Sequence, residues 1–134
     1  MASSYSNDLS LELVATGEKA GLWGAIQNTN LQVLETATAY VEVPINSTTQ
    51  TLSLADGSST ADGKYLYLKL TGSLTGNTTL SMPATTTGGN ATRVFIIEDA
   101  TNRTAANFTL SVLTTGAASS VAVPQLAIML LVSN

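Results

Sequence analysis

The sequence predicts a mainly β protein: a small β-sandwich, jelly-roll-like or meandering in strand order, preceded by an extended N-terminal arm and one helix. Three observations carry this. Seven short stretches after residue 39 are rich in β-branched and aromatic residues and are separated by clusters of Gly, Ser, Asn or Asp, the composition of strands and their turns. Gly17 to Tyr40 is the one long stretch with apolar residues at helical spacing. A Thr-Leu-Ser-hydrophobe tetrapeptide recurs at Thr51, Thr79 and Thr109, 28 and 30 residues apart, which marks repeated units. The expected division is an arm and helix over residues 1–39, for attachment or oligomerisation, and a β-sandwich domain over residues 40–134.

Taken in order, the chain opens polar and then alternates Leu9, Leu11 and Leu13 with Ser10, Glu12 and Val14. A period of two reads as an extended arm or edge strand. Either it docks its apolar row on another subunit or it is the first strand of the domain. In the helix, Trp23, Ile26, Asn30, Val33 and Ala37 follow a heptad spacing, with Tyr40 in the next position, while Leu31 and Leu34 form a second seam. One seam can pack on the helix's own domain and the other on a symmetry mate. The first seam, Trp23 to Ala37, is the candidate oligomer interface, and Asn30 within it is the residue type that fixes register and oligomer state by pairing with its copies. The alternative is a core helix with Asn30 facing solvent.

The expected strands are Tyr40 to Ile45, Thr49 to Leu54, Tyr65 to Leu70, Thr78 to Met82, Arg93 to Glu98, Phe108 to Leu113 and Val121 to Val132, the last split at Pro124. Grouped by the tetrapeptide, they suggest three hairpin-like units. A solenoid calls for closer similarity between units than three short motifs provide. Leu66, Leu68 and Leu70 alternate with Tyr65, Tyr67 and Lys69, so that strand shows one face to the core. Val94 to Ile97 and Ala127 to Val132 are nearly continuous apolar runs, the pattern of strands covered on both faces. The second cover is expected to be the helix, a neighbouring subunit or the sandwich itself.

Composition narrows the chemistry. Of 134 residues, 44% are hydrophobic and only 10% charged, against about 25% charged in ordinary domains. Such a weakly charged surface has little electrostatic protection against association, and suits a subunit partly covered by partners. Net charge is −4, with five cations scattered singly, so no basic stripe is available for nucleic acid. Without Cys or His, thiolate chemistry, zinc thiolate sites and Ser-His-Asp catalysis are excluded. The N-terminus has no basic stretch followed by a continuous apolar core, so no signal peptide is expected. The longest apolar run, Leu126 to Val132, is far below the roughly 20 residues of a membrane helix.

Paired carboxylates for glycoside cleavage could come from Asp56, Asp62, Glu98 and Asp99. Asp56-Gly57 and Asp62-Gly63 read instead as turns, and Glu98 and Asp99, adjacent on a strand, point to opposite faces. Asp56 and Asp62 lack the acidic spacing of a Ca²⁺ loop. Thr86-Thr87-Gly88-Gly89-Asn90 has no Lys and no helix behind it, so it is a loop and not a phosphate cradle. No catalytic residue, metal or cofactor is expected, and the chain is read as a non-enzyme. Tyr65 and Tyr67, two apart on one face, either stack on a sugar ring or form a packing pair. Triplets Asn-x-Ser/Thr begin at Asn46, Asn77, Asn90, Asn102 and Asn107; a chain this rich in Asn and Thr generates them by composition, and glycosylation is not expected.

The segment Leu22-Trp23-Gly24-Ala25-Ile26-Gln27-Asn28-Thr29-Asn30-Leu31-Gln32-Val33-Leu34, preceded by Asp8-Leu9-Ser10-Leu11-Glu12-Leu13, resembles the beginnings of virion appendage proteins of tailed bacteriophages, marine ones especially. Tyr65 to Leu70, with Thr71-Gly72-Ser73-Leu74-Thr75-Gly76 and the Met82-Pro83 ending, is similar to their β modules. The resemblance implies a virion structural protein assembled in the host cytoplasm. Most directly this is a trimeric tail fibre or appendage subunit contacting other virion proteins and host surface glycan; a capsid decoration protein is the alternative. A carbohydrate-binding or polysaccharide-degrading module is the reading from a different class.

Overall fold

A computed structural model describes residues 3–82, 85–86, 89–90, 92–103, 107–115 and 117–133, the backbone alone being described at 85–86, 89–90 and 132–133. In chain order the elements are β1 (Ser4–Tyr5), β2 (Glu12–Leu13), α1 (Trp23–Thr36), β3 (Tyr40–Pro44), β4 (Thr49–Thr51), a 3₁₀ turn (Asp62–Lys64), β5 (Tyr67–Thr71), β6 (Thr78–Met82), β7 (Thr85–Thr86), β8 (Gly89–Asn90), β9 (Arg93–Asp99), β10 (Leu110–Thr114), β11 (Val121–Val123) and β12 (Ile128–Ser133). The chain is mainly β with one α-helix, in two four-stranded mixed sheets ordered β12-β9-β5-β3 and β11-β10-β6-β4.

The strand order corrects one expectation. β3, β5 and β9 run parallel in one sheet, and β4, β6 and β10 run parallel in the other. Only β11 and β12 are antiparallel to their neighbours in these sheets. The units are therefore not hairpins, and the order is neither a jelly roll nor a meander. Each unit sends one strand to each sheet and stacks on the next, which is how solenoid repeats are built. The Thr-Leu-Ser motif follows this stacking with an offset: Thr51 is aligned with Ser81 and Ser81 with Leu113, each two residues past its counterpart in the next motif. The mutual similarity asked of a solenoid was too strict, because parallel stacking needs only matched apolar rows and corners.

Those corners stack as well. Between β3 and β4 the chain turns at Ile45, whose N–H donates to Thr71 C=O at 2.8 Å; Gly72 C=O in the next corner accepts from Asn102 N–H at 2.7 Å. Gly72 has φ +103°, and a Cβ there would stand 3.0 Å from the Ile45 carbonyl oxygen. That combination of left-handed backbone and close approach selects glycine. The inner faces of both sheets contribute to one apolar cluster: Val43, Leu68, Leu70, Phe95 and Ile97 from one, Leu80, Met82, Leu110, Val112 and Val123 from the other. Fully burying a side chain of this size contributes about 1.5–3 kcal/mol.

The helix is shorter than the stretch predicted for it. Lys19 and Gly21 take φ of 56° and 82°, which delays its start to Trp23, and a turn after Thr36 ends it before β3. The arm also differs from a single extended segment. It doubles back, pairing Ser4 with Leu13 and Tyr5 with Glu12, and is fixed to the rest of its own chain. Gly57 N–H donates to Ser10 C=O at 3.1 Å, and Thr92 N–H donates to the Asp8 carboxylate at 2.9 Å. Among the described residues, no helix is long and apolar enough to cross a membrane.

Candidate functional site

The helix divides its apolar residues between two sides. Val33 is fully buried and Thr36 nearly so, the Thr36 hydroxyl donating to Ser59 C=O at 2.8 Å. Ile26 and Ala37 are half-buried. Asn30 is committed within its own chain: its side-chain oxygen accepts from Glu12 N–H at 3.0 Å and its amide donates to Glu12 C=O at 2.9 Å. Trp23 and Leu31, each 62% exposed, and Leu34 look outward together with Leu22. The expected interface residues are thus not one open seam. Val33 and Asn30 serve intrachain packing, while Trp23 is exposed at the start of the helix and Leu31 and Leu34 are exposed further along it. Under the helix, Ile26, Ala25, Leu22, Glu12, Asn30 and Gly57 border a groove of about 290 Å³.

The four candidate carboxylates are used separately. Asp62 accepts from Ser53 N–H at 2.6 Å and from Gly63 N–H, as a turn residue does. Asp99 is fully buried, accepting from the backbone and hydroxyl of Thr101 and from Arg103. Glu98 faces outward and accepts from Tyr67 Oη at 2.7 Å. Asp56 lies in the loop beside Lys64, where its charge favours the ammonium. Among the described residues, no three acidic side chains are grouped to hold a metal ion. Within the Thr86 to Asn90 loop, Thr87 and Gly88 lie outside the described residues.

Tyr65 and Tyr67 separate. Tyr65 follows the 3₁₀ turn and packs against the core cluster, whereas Tyr67 begins β5 on the outer face of its sheet. There it meets Tyr40, with ring centroids 5.5 Å apart and planes inclined at 47°. Each phenol donates to a carboxylate, Tyr40 to Glu42 at 2.6 Å and Tyr67 to Glu98 at 2.7 Å. These hydrogen bonds hold the phenol protons, raising Tyr40 to about 12 and raising Tyr67 as well.

The same outer face carries what the two continuous apolar runs contribute. Val94 is 44% exposed, Ile128 64% and Leu130 69%, so among the described residues neither the helix nor any other segment covers these positions of β9 and β12 from outside. The expectation of a second cover inside the chain fails here. β12 is an edge strand of its sheet, and its inward residues are Met129 and Leu131. Tyr40, expected both at the end of the helical spacing and at the start of a strand, begins β3; its pairing with Tyr67 depends on β3 lying beside β5, which local pattern does not reveal.

Sequence reasoning also missed a buried basic cluster. Lys64 is fully buried, its Nζ donating to Ser58 C=O at 2.8 Å, and burial lowers it to about 8. Arg93 reaches inward over the Phe95 ring and donates to the carbonyls of Gly63 and Lys64. Single cations in a β-rich sequence give no sign of such use; only the inward parity of Arg93 with Phe95 and Ile97 hints at it. The cluster ties the loop around Asp62 to the sheet.

Comparison with known proteins finds no matching family model, and no curated protein or solved structure with significant similarity to this chain.

Proposed function

We propose that the chain is a non-enzymatic structural subunit of a tailed-phage virion, a tail fibre or other tail appendage that assembles as a trimer. The observation that carries this reading is the outward helix face of Trp23, Leu31 and Leu34 on a chain with few charges. Leu31 and Leu34, one turn apart, and Trp23, at the start of the same helix, are large apolar side chains left exposed, and such side chains favour burial against a partner. The resemblance of the Leu22 to Leu34 segment to phage appendage proteins supplies the biological setting. The helix would supply the trimer contact and the stacked β body would project from it, meeting other virion proteins at one end and host surface glycan at the other.

Two measurements test the reading. Solution mass by light scattering is expected to give a trimer that Leu31→Asp dissociates; a stable monomer at high concentration overturns the assembly role. Locating the labelled subunit in intact particles is expected to place it on the tail. A position on the head surface would make it a decoration protein, and absence from particles would overturn the virion assignment.

A further inference from the structure

We propose that the outer face of the β3-β5-β9-β12 sheet binds a neutral polysaccharide, on a platform built by Tyr40, Tyr67, Glu42, Lys69 and Glu98. The inference deepens the glycan contact named in the reading above, and depends neither on the trimer nor on a place in the virion. Strand pairing sets two outward rows across this sheet. One is Tyr40, Tyr67, Ile96 and Leu130; the other is Glu42, Lys69, Glu98 and Ile128. The rows lie two residues apart along each strand, about 7 Å, so an apolar row runs beside a polar one over β3, β5 and β9. Tyr65, expected as the companion of Tyr67, packs against the core and takes no part.

The polar groups are held in place before any ligand arrives. Tyr40 Oη donates to Glu42 Oε1 and Tyr67 Oη to Glu98 Oε2, so each phenol fixes a carboxylate near the aromatic pair. Among the described residues, the other oxygens, Glu42 Oε2 and Glu98 Oε1, accept no hydrogen bond from the chain. An apolar protein surface laid over this face would bury those oxygens without donors, which is costly. A pyranose avoids that cost. Its C–H faces pack on exposed aromatic rings such as Tyr40, 48% exposed, and its rim hydroxyls donate to the waiting carboxylates. Charge narrows the class further. Two carboxylates against one ammonium repel an anionic glycan, while Lys69, 3.7 Å from Glu42 and in register beside Glu98, occupies the place a cationic ligand would need. A neutral, hydroxyl-rich chain lying across the strands along both rows meets every condition.

Isothermal titration calorimetry on the whole chain tests the site, with a soluble β-glucan, a mannan and a galactan as neutral probes and polygalacturonate as the anionic one. At least one neutral probe is expected to bind, and polygalacturonate to bind at least about tenfold more weakly. Tyr40→Ala and Tyr67→Ala each remove a ring and are expected to weaken that binding about tenfold or more. Glu98→Gln keeps an acceptor for Tyr67 but loses the charge-assisted bond to the sugar, an expected loss of about fivefold. None of these side chains lies on the helix, so the variants are expected to keep the parent's solution mass; binding lost only together with mass overturns the proposal. Tyr40→Ala, at an exposed position of the edge strand, carries the test if Tyr67→Ala fails to fold. No binding of any neutral probe, equal or tighter binding of polygalacturonate, or ring variants that bind like the parent chain also overturn it. Any of these results with the subunit still located on the tail leaves the virion assignment standing, and glycan binding by a subunit absent from particles does the reverse.

Discussion

The side-chain amide of Asn30 closes a two-bond ring with the backbone of Glu12, accepting its N–H at 3.0 Å and donating to its C=O at 2.9 Å. The helix thereby holds the doubled-back arm much as a neighbouring strand would, and the arm in turn borders the groove beneath the helix. A residue suited to pairing between helices is spent on joining two segments of one chain.

Replacing Asn30 with Leu tests that role. The substitution leaves a half-buried N–H and C=O without partners, which costs about 1–3 kcal/mol. Hydrogen exchange is expected to speed up at Glu12 and across residues 4–13 while the β strands keep their protection. Unchanged exchange in the arm, with an altered oligomeric mass, would instead assign Asn30 to an interchain contact.

Gly72 is expected to be the least replaceable glycine of the stacked corners. Alanine there takes on both an unfavourable φ of +103° and a Cβ at 3.0 Å from a backbone oxygen. The backbone strain alone is of the order of 1–3 kcal/mol, so thermal unfolding should shift down by several degrees. Gly17→Ala, at φ +81° with nothing near its Cβ, should shift it less.

Asp99 and Arg103 are expected to behave as a buried pair. The Asp99 side chain is fully buried and that of Arg103 is 11% exposed, so Asp99→Ala strands a guanidinium away from water. Breaking a buried pair in this way costs about 3–5 kcal/mol. Urea unfolding should show that loss, and Asp99→Asn, which keeps an acceptor for Thr101, should lose less.

Stability is expected to peak near pH 10. Burial lowers Lys64 from 10.5 to about 8, so between those values the unfolded chain binds more protons and stability rises with pH. Tyr40 and Tyr67 shift the other way. The unfolded phenols ionise from pH 10 while folded Tyr40 holds its proton to about 12, so stability falls above pH 10. Urea midpoints from pH 7 to 11.5 check both limbs; Lys64→Met should abolish the rise and leave the fall.

Much of the β architecture was legible in the sequence, because local pattern fixes it. Alternation at Leu68 and Leu70, and Gly or Asn between apolar stretches, located the strands within a few residues, and the Thr-Leu-Ser spacing came within two residues of the register that stacks one unit on the next. What the sequence left open was which strand lies beside which. Pairing is a property of chain paths between elements, and the same alternating strands satisfy hairpins or parallel stacks equally well. Only the tertiary structure sent Ile45 and Gly72 into stacked corners, put Tyr40 beside Tyr67, turned Arg93 and Lys64 inward, and left Leu130 and Ile128 on an open face. Ile45 meets Thr71, Gly72 meets Asn102, Tyr40 meets Tyr67 and Arg93 meets Gly63, all far apart in the chain, and side-chain periodicity, which reports only a residue's own face, carries no information about such contacts.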